Sequence, residues 1–191
     1  MKHVLLAALL AAGCGPRIGP AWPTAAPTLD EGWRTMRAQH EATIDVDVQG
    51  GHEVRHLRAV LAVERPDRLR LRALGPGGVA LFDLLYRGGE VKVISSLRDA
   101  KSGSLSRIAA SMGGDLAAAF GLTPSQRRIA GSEVVLEQPE RTVRLSDFQM
   151  VGGHAVPLRI SVDNRALHYH VAVKVGDVSL DEPLDPALFA P

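Results

Sequence analysis

The sequence predicts an α+β fold in which a strongly curved antiparallel sheet forms an unclosed β-barrel, with short helices covering its concave side. Three observations support this prediction. Much of the chain alternates apolar and polar residues with a period of two, as half-buried strands do. Turn residues such as Gly50-Gly51 and Gly152-Gly153 divide these runs at short intervals. Helical spacing interrupts the strand pattern once in mid-chain, so we expect helices on one side of a single sheet.

The first residues have the pattern of an export signal. A basic start at Lys2 is followed by an apolar run over 4–12 and by Gly13-Cys14. The run is too short to span a bilayer. Leu-Ala-Ala-Gly-Cys at 10–14 resembles the bacterial lipobox, so residues 1–13 are predicted to be a lipoprotein signal peptide. A truncated membrane helix, or an ordinary secretory signal with an incidental cysteine, is the alternative.

The segment after the signal predicts a lipid anchor and a spacer. Acyl chains such as palmitate on Cys14 would hold the protein stably, because two or three chains anchor where one does so only marginally. Residues 14–28 are rich in Pro, Gly and Ala, which is typical of a flexible tether. Gly15 is not Asp, so by resemblance to the enteric sorting rule we expect the periplasmic face of the outer membrane.

Residues 29–191 are predicted to form one domain, and its elements follow from periodicity. Leu29, Trp33, Met36 and His40 lie on one helical face, which predicts an amphipathic helix over 29–40. One or two short helices are predicted over 104–120, interrupted at Gly113-Gly114. The pattern predicts strands over 43–48, 54–64, 68–73, 79–86, 91–96, 133–138, 141–150, 156–163 and 167–175.

Composition and motifs argue against several function classes. Without residues 1–13 the chain has 21 basic and 21 acidic residues, and this neutral balance argues against a nucleic-acid partner. No P-loop, GxSxG or paired-cysteine motif occurs. His52 and His56 have the spacing of an HExxH pattern, but they fall in a run predicted to be a strand, where residues four apart are separated by about 13 Å, too far to share a zinc ion. We therefore expect no enzyme, no metal and no cofactor. His168 and His170 follow Asp163 on one strand face, where a metal site competes with the more ordinary interpretation of a polar, solvent-facing surface.

Arg68, Arg70 and Arg72 form a basic stripe along one strand face. The stripe is typical of a solvated convex surface that also guards against edge pairing. A contact with anionic lipid headgroups or with an acidic partner is the alternative.

The run 79–86 indicates how the domain could bind a ligand, because it is apolar on both faces of its strand. Something must cover both sides, and a chain with only 4% aromatic residues has a core of Leu, Val and Ala that leaves room for a lipid-sized apolar cavity. A merely well-packed core explains the pattern equally well.

Residues 65–85 carry a resemblance to a known family. A Pro is followed by alternating Arg and Leu at 68–72, a Gly-Pro-Gly-Gly turn at 75–78 and an apolar strand, then a Gly-Gly turn and Val91-Lys92-Val93. This order, with the ending Asp-Pro-Ala-Leu-Phe at 185–189, resembles the LolA/LolB superfamily of periplasmic lipoprotein carriers and receptors.

The resemblance implies an apolar interior that accepts the acyl chains of lipoproteins or phospholipid, with no enzymatic step, and a LolA-like periplasmic carrier as a partner. The matching turn, Gly75, Pro76, Gly77 and Gly78, would be a membrane-contact loop. The chain departs from the family at Gly77, where the receptors have an exposed Leu that touches the membrane. We therefore expect an outer-membrane lipoprotein active in lipoprotein localisation or lipid transfer, and the alternative is an envelope scaffold lipoprotein with a filled core. The predicted ligand-lining residues are Val79, Leu81, Phe82, Leu84, Leu85, Val91, Val93, Ile108, Met112, Leu116 and Phe120.

Overall fold

The computed structural model describes residues 32–48, 51–75, 80–96, 103–123 and 125–190. Within these ranges the chain forms ten strands, one α-helix and one 3-10 helix. The first strands are β1 (Thr35–Val48), β2 (Gly51–Glu64), β3 (Arg68–Leu74), β4 (Ala80–Arg87) and β5 (Glu90–Ser96). The helix α1 (Gly103–Ala119) precedes β6 (Arg127–Ala130), β7 (Glu133–Gln138), β8 (Arg141–Val151), β9 (His154–Asn164) and β10 (Tyr169–Leu180), and the 3-10 helix spans Pro186–Phe189.

All ten strands belong to one antiparallel sheet, in the order β5-β4-β3-β2-β1-β10-β9-β8-β7-β6. The sheet consists of two meanders that meet where β1 pairs with β10, and Ala42 there lies opposite both Leu57 and Val173. The edge strands β5 and β6 are joined in the chain by α1 and are not paired with each other. The sheet is therefore open along one side.

The helix lies on the concave side of the sheet and shows how strongly the sheet curves. It contacts β4 and β5 near one edge and β8 near the other, and its apolar residues share one core with both meanders. Strands so far apart in the sheet order can reach one helix only if the sheet bends around it. The predicted fold class, an unclosed curved barrel with a helix on its concave side, is confirmed.

The predicted opening helix over 29–40 is wrong for the residues that the structure describes. Strand β1 begins at Thr35, and Met36, Ala38, His40, Ala42 and Ile44 are all buried in alternation. Met36 and His40 satisfy both periods, since they are four residues apart. Ala38 lies between them and is also buried, which fits a strand but not a helix with Met36 and His40 on its buried face.

The central helix is a single element rather than two. Gly113 lies inside it, where a Cβ atom would come within 2.8 Å of Val91 Cγ1 on β5. This glycine therefore serves the close approach of α1 to the sheet and does not break the helix. No helix among the described residues is long and apolar enough to cross a membrane.

The outer, convex side of the sheet carries a second, smaller apolar cluster. Ala62 and Leu85 pack there with Phe189 of the 3-10 helix, and Ile94, Leu184 and Leu188 surround them. Asp185 caps the 3-10 helix by accepting a hydrogen bond from the Ala187 amide at 2.9 Å. The C-terminal segment thus covers one part of the outer face.

Candidate functional site

Most of the predicted ligand-lining residues come together between α1 and the sheet. Five of them are buried in the main core and four are half-buried against it. The buried ones are Leu84, Ile108, Met112, Leu116 and Phe120, and the half-buried ones are Leu81, Phe82, Val91 and Val93. The space between helix and sheet is occupied by these side chains, so a ligand could enter it only if α1 moved.

One predicted lining position does not join this group, and another lies outside the described residues. Leu85 points to the outer face and belongs to the cluster around Phe189, because successive residues of a strand face opposite sides. Val79, like Pro76, Gly77 and Gly78 of the predicted membrane-contact loop, lies outside the described residues. Gly75 of that loop is half-buried, and a Cβ atom there would lie 2.9 Å from Leu81 Cδ2.

One flank of α1 is polar and faces β8, β9 and β10. Ser111 and Asp115 are four residues apart and so lie on the same stripe of the helix. The Asp115 carboxylate accepts hydrogen bonds from Arg141 Nη1 at 2.6 Å and from the Tyr169 hydroxyl at 2.5 Å. Ser111 Oγ lies 3.0 Å from the Tyr169 hydroxyl and 3.1 Å from Asn164 Nδ2. We call these five residues the polar latch.

The electrostatics of the polar latch follow from its burial. Asp115 is completely shielded from solvent, and this burial raises the pKa of its carboxyl, while Tyr169 and Arg141 act in the opposite direction. Burial and the neighbouring Asp115 also raise the pKa of the Tyr169 hydroxyl. Removing Asp115 from water is costly, so the latch is stable only while Arg141 and Tyr169 stay in place.

A second contact holds the C-terminal end of the helix. Arg65 Nη2 donates a hydrogen bond of 2.8 Å to the Phe120 carbonyl, one of the acceptors that the helix end leaves unpaired. The guanidinium of Arg65 also stacks over the Trp33 ring at 4.2 Å, which fixes its direction. The start of the domain thereby helps to position the helix.

The two flanks of α1 are attached to the sheet by different forces. Toward β4 and β5 the contact is apolar and very close, because Gly113 lets the helix backbone approach Val91. Toward β8, β9 and β10 it depends on the polar latch. Polar groups can exchange protein partners for water, whereas the apolar flank loses its burial on separation. The geometry therefore favours opening on the side of the latch.

The basic stripe on β3 is largely engaged by the protein itself. Arg70 makes two hydrogen bonds with the buried Asp83 at 2.9 and 2.8 Å and donates to the Leu188 carbonyl at 2.6 Å. Arg68 pairs with Glu64 at 3.2 Å. Arg72, whose side chain is 60% exposed, lies 3.8 Å from Asp83. The solvated-surface interpretation fits Arg72, and Arg70 serves to attach the C-terminal segment.

A groove of about 900 Å³ crosses the outer face of β1, β2, β9 and β10. Its exposed members, such as Glu41, Arg58, Arg159 and Lys174, alternate with core residues and so face away from α1. A second depression of about 500 Å³ continues from it and shares Glu41, Arg58, Leu74 and Lys174. We call the two together the outer groove. The sequence did not reveal it, because its residues become neighbours only through the register of strands that are distant in the chain.

Two histidines, His52 and His170, are each paired with an acid. His170 Nδ1 lies 2.7 Å from Asp163 Oδ1, and His52 Nε2 lies 3.1 Å from Asp45 Oδ1. Among the described residues, no group of three or more His, Cys, Asp or Glu side chains is arranged to hold a metal ion.

Comparison with known proteins gives similarity in structure alone. The chain matches no protein-family model and no curated protein. Among solved structures, it is similar to a domain described as an outer membrane lipoprotein-sorting protein from Vibrio parahaemolyticus (12% identity, 84% of this chain and 91% of that one, TM-score 0.41). It is also similar to a DUF1329 family protein from Desulfovibrio piger (12% identity, 84% and 91%, TM-score 0.47).

A third similarity is stronger. A LolA superfamily protein from Nitrosomonas europaea matches over 85% of this chain and 93% of its own, with 11% identity and a TM-score of 0.50. At such low identity the likeness concerns the architecture, which is the one that the Arg-Leu pattern of 65–85 had predicted. The protein therefore has a LolA/LolB-like fold.

Proposed function

We propose that this protein is a lipid-anchored envelope protein that binds acyl chains between α1 and the concave side of the sheet. The observation that carries the proposal is the unequal attachment of α1, which is apolar toward β4 and β5 and polar toward β8, β9 and β10. In the conformation described, the helix itself occupies the place of the ligand. Moving it on the side of the polar latch would uncover an aliphatic surface suited to acyl chains.

The balance of free energies is consistent with such an exchange. Exposing an apolar surface to water costs about 25 cal/mol per Å², and an acyl chain that covers the same surface offsets this cost. The hydrogen bonds that Asp115 accepts in the latch contribute about 1.5–3 kcal/mol each in net terms, because they involve a charged group, and water replaces the lost partners on opening. The remaining cost is the reorientation of the helix about its contact with Val91.

Uptake of a fluorescent fatty acid by the full chain tests this proposal. Asp115→Asn keeps the shape of the side chain but removes the charge that Arg141 and Tyr169 hold, so we expect acyl uptake to become about tenfold faster. Glu137→Gln is the matched control, because Glu137 forms an exposed ion pair with Arg128 at 2.6 Å, away from α1. Absence of uptake in the unmodified protein and in both variants would overturn acyl binding.

The anchor forms a separate part of the proposal and depends on Cys14. The sequence of residues 10–14 supports acylation there, at the periplasmic face of the outer membrane, and a LolA-like carrier is the expected protein partner. Metabolic labelling with palmitate should modify the protein, and Cys14→Ser should abolish the label and release the protein from the membrane fraction. A label that persists in Cys14→Ser, or a variant that stays in the membrane, would contradict the anchor.

The filled core supports a second candidate, an envelope scaffold that binds a protein partner and takes up no lipid. Leu84, Met112 and Leu116 are at most 5% exposed, so the described conformation has little free space among them. The two candidates differ in one measurement. A scaffold should purify without bound lipid and should release no lipid on denaturation, whereas an acyl-binding protein should carry lipid that mass spectrometry detects.

A further inference from the structure

The outer groove carries an inference that is independent of the space beneath α1. Its centre is a row of side chains that crosses five strands on the outer face. The pairing places Ser146 opposite Arg159, Arg159 opposite Lys174, Lys174 opposite Glu41, and Glu41 opposite Arg58. The row therefore carries three cations and one acid, with Arg159 next to Lys174 and Glu41 between Lys174 and Arg58, and it has an excess of positive charge.

The cations of this row differ in how they are compensated. Arg159 pairs with Asp147 at 2.5 Å. The side chains of Arg58 and Lys174 make neither a salt bridge nor a hydrogen bond with any part of the chain that the structure describes. Glu41 stands opposite both of them, so one carboxylate faces two cations. Lys174 also stands directly opposite Arg159, and like charges in that position destabilise a sheet.

Hydroxyl groups surround the two opposing cations. Ser146 lies beside Arg159 across the strand pair, and Ser161 follows Arg159 by two residues on the same face. Ala172, opposite Ser161, is the small residue next to Lys174 on β10, and it leaves space in the floor of the groove. A concave surface with two opposed cations and flanking hydroxyl donors has the chemistry of a site for a tetrahedral oxyanion.

We propose that the outer groove binds a phosphate group, held by Lys174 and Arg159 with Ser146 and Ser161 as hydroxyl donors. The charge of the bound group relieves the repulsion between the opposing cations. Phosphate reaches this site either as a free ion or small ester, or as the phosphodiester of a lipid headgroup. The same cations serve both sources.

Calorimetric titration of the full chain with two probes tests the site. The probes are inorganic phosphate and dihexanoyl phosphatidylglycerol, and Lys174→Gln should weaken binding at least tenfold. Lys92→Gln is the matched control, since Lys92 on β5 is also exposed on the outer face of the sheet but lies outside the groove. Ser161→Ala keeps every charge and should weaken binding about threefold, which separates a built site from general charge attraction.

The outcomes distinguish the source of the phosphate. Binding of inorganic phosphate that Lys174→Gln abolishes supports a site for free phosphate or a small ester. Binding of the lipid probe alone, with the same loss in Lys174→Gln, supports a headgroup site. Equal losses in Lys174→Gln and Lys92→Gln, or no heat with either probe, would overturn the proposal, and so would binding of an acidic peptide in place of both probes.

Discussion

The outer face of the sheet has two parts that differ in whether their cations are bound by other groups of the protein. Over β3 and β4 the C-terminal segment covers the sheet, and Arg70 is bound to Asp83 and to the Leu188 carbonyl. Over β1 and β10 no segment that the structure describes covers the sheet, and Lys174 has no protein partner within that part of the chain. A cation whose hydrogen bonds and ion pairs are made within the protein contributes to stability. A cation that lacks such partners is available to a ligand.

The largest expected effect comes from breaking the covered part at Arg70. Arg70→Met leaves the Asp83 carboxylate, which is 3% exposed, without its two hydrogen bonds. Breaking one side of a buried ion pair typically costs 3–5 kcal/mol, so we expect the free energy of unfolding to fall by about 4 kcal/mol. Denaturant unfolding measures this change. The double variant with Asp83→Leu should recover most of the loss, and a loss below about 1 kcal/mol would show that water replaces the guanidinium.

Phe189 provides the apolar counterpart of that test. It is 4% exposed in the small cluster with Ala62 and Leu85, so Phe189→Ala should lower the free energy of unfolding by about 3 kcal/mol. Met150→Ala, at a position 63% exposed, serves as the control and should change it by less than about 0.5 kcal/mol. Equal effects of the two variants would mean that the C-terminal segment is not held on the sheet.

On the inner side of β1, beneath the open part, the buried His40 makes the stability of the fold depend on pH. Its side chain faces the core, its Nδ1 atom has no hydrogen-bond partner, and burial lowers the pKa of the imidazole from 6.5 to about 4. Between pH 6.5 and 4, therefore, His40 is protonated in the unfolded chain but neutral in the folded chain. Stability contributed by His40 is complete above pH 6.5 and is lost as the pH falls toward 4, by about 3 kcal/mol in total.

Comparison with His40→Leu isolates this contribution from the titration of carboxylates. The difference in the free energy of unfolding between the two proteins should change across pH 6.5 to 4 and stay constant above pH 7. A constant difference over the whole range would place the imidazole in contact with water.

The smallest expected effect concerns the stability of the open part. Lys174→Gln and Arg58→Gln remove cations that hold nothing in the fold, so each should change the free energy of unfolding by less than about 0.5 kcal/mol. Together with Arg70→Met, these variants compare how much the cations of the covered part and of the open part contribute to the free energy of unfolding. A loss above 1 kcal/mol in either would reveal a structural role and would remove the contrast.

Sequence patterns predicted the parts of the fold that rest on local alternation. The alternation of Arg68, Arg70 and Arg72 with Leu69 and Leu71 has the burial pattern expected of β3. Helical spacing also predicts the helix over 104–120. The same pattern predicts an interruption at Gly113, because local sequence does not show that Val91 packs against this glycine. Strand β6 was missed because its four residues, Arg127–Ala130, are mostly exposed and show no alternation.

The candidate sites were less predictable because they depend on contacts across the sheet. Leu84 and Leu85 are adjacent and equally apolar, yet only the pairing of β4 shows that they serve different clusters. The polar latch joins Asp115 to Arg141 and Tyr169. No sequence motif around any of these residues predicts that they contact one another. Lys174 becomes a neighbour of Glu41 only when the last strand pairs with the first.

That pairing also determines how the chain can fold. The centre of the sheet joins β1, the first strand, to β10, the last, and opposes residues as distant as Ala42 and Val173. Contacts of such long range require most of the chain to be ordered before they form, which slows folding. A chain that emerges from a pore N-terminus first would therefore hold β1 with one edge unpaired until its final strand arrives. The centre of the sheet can therefore be completed only after the last strand is available.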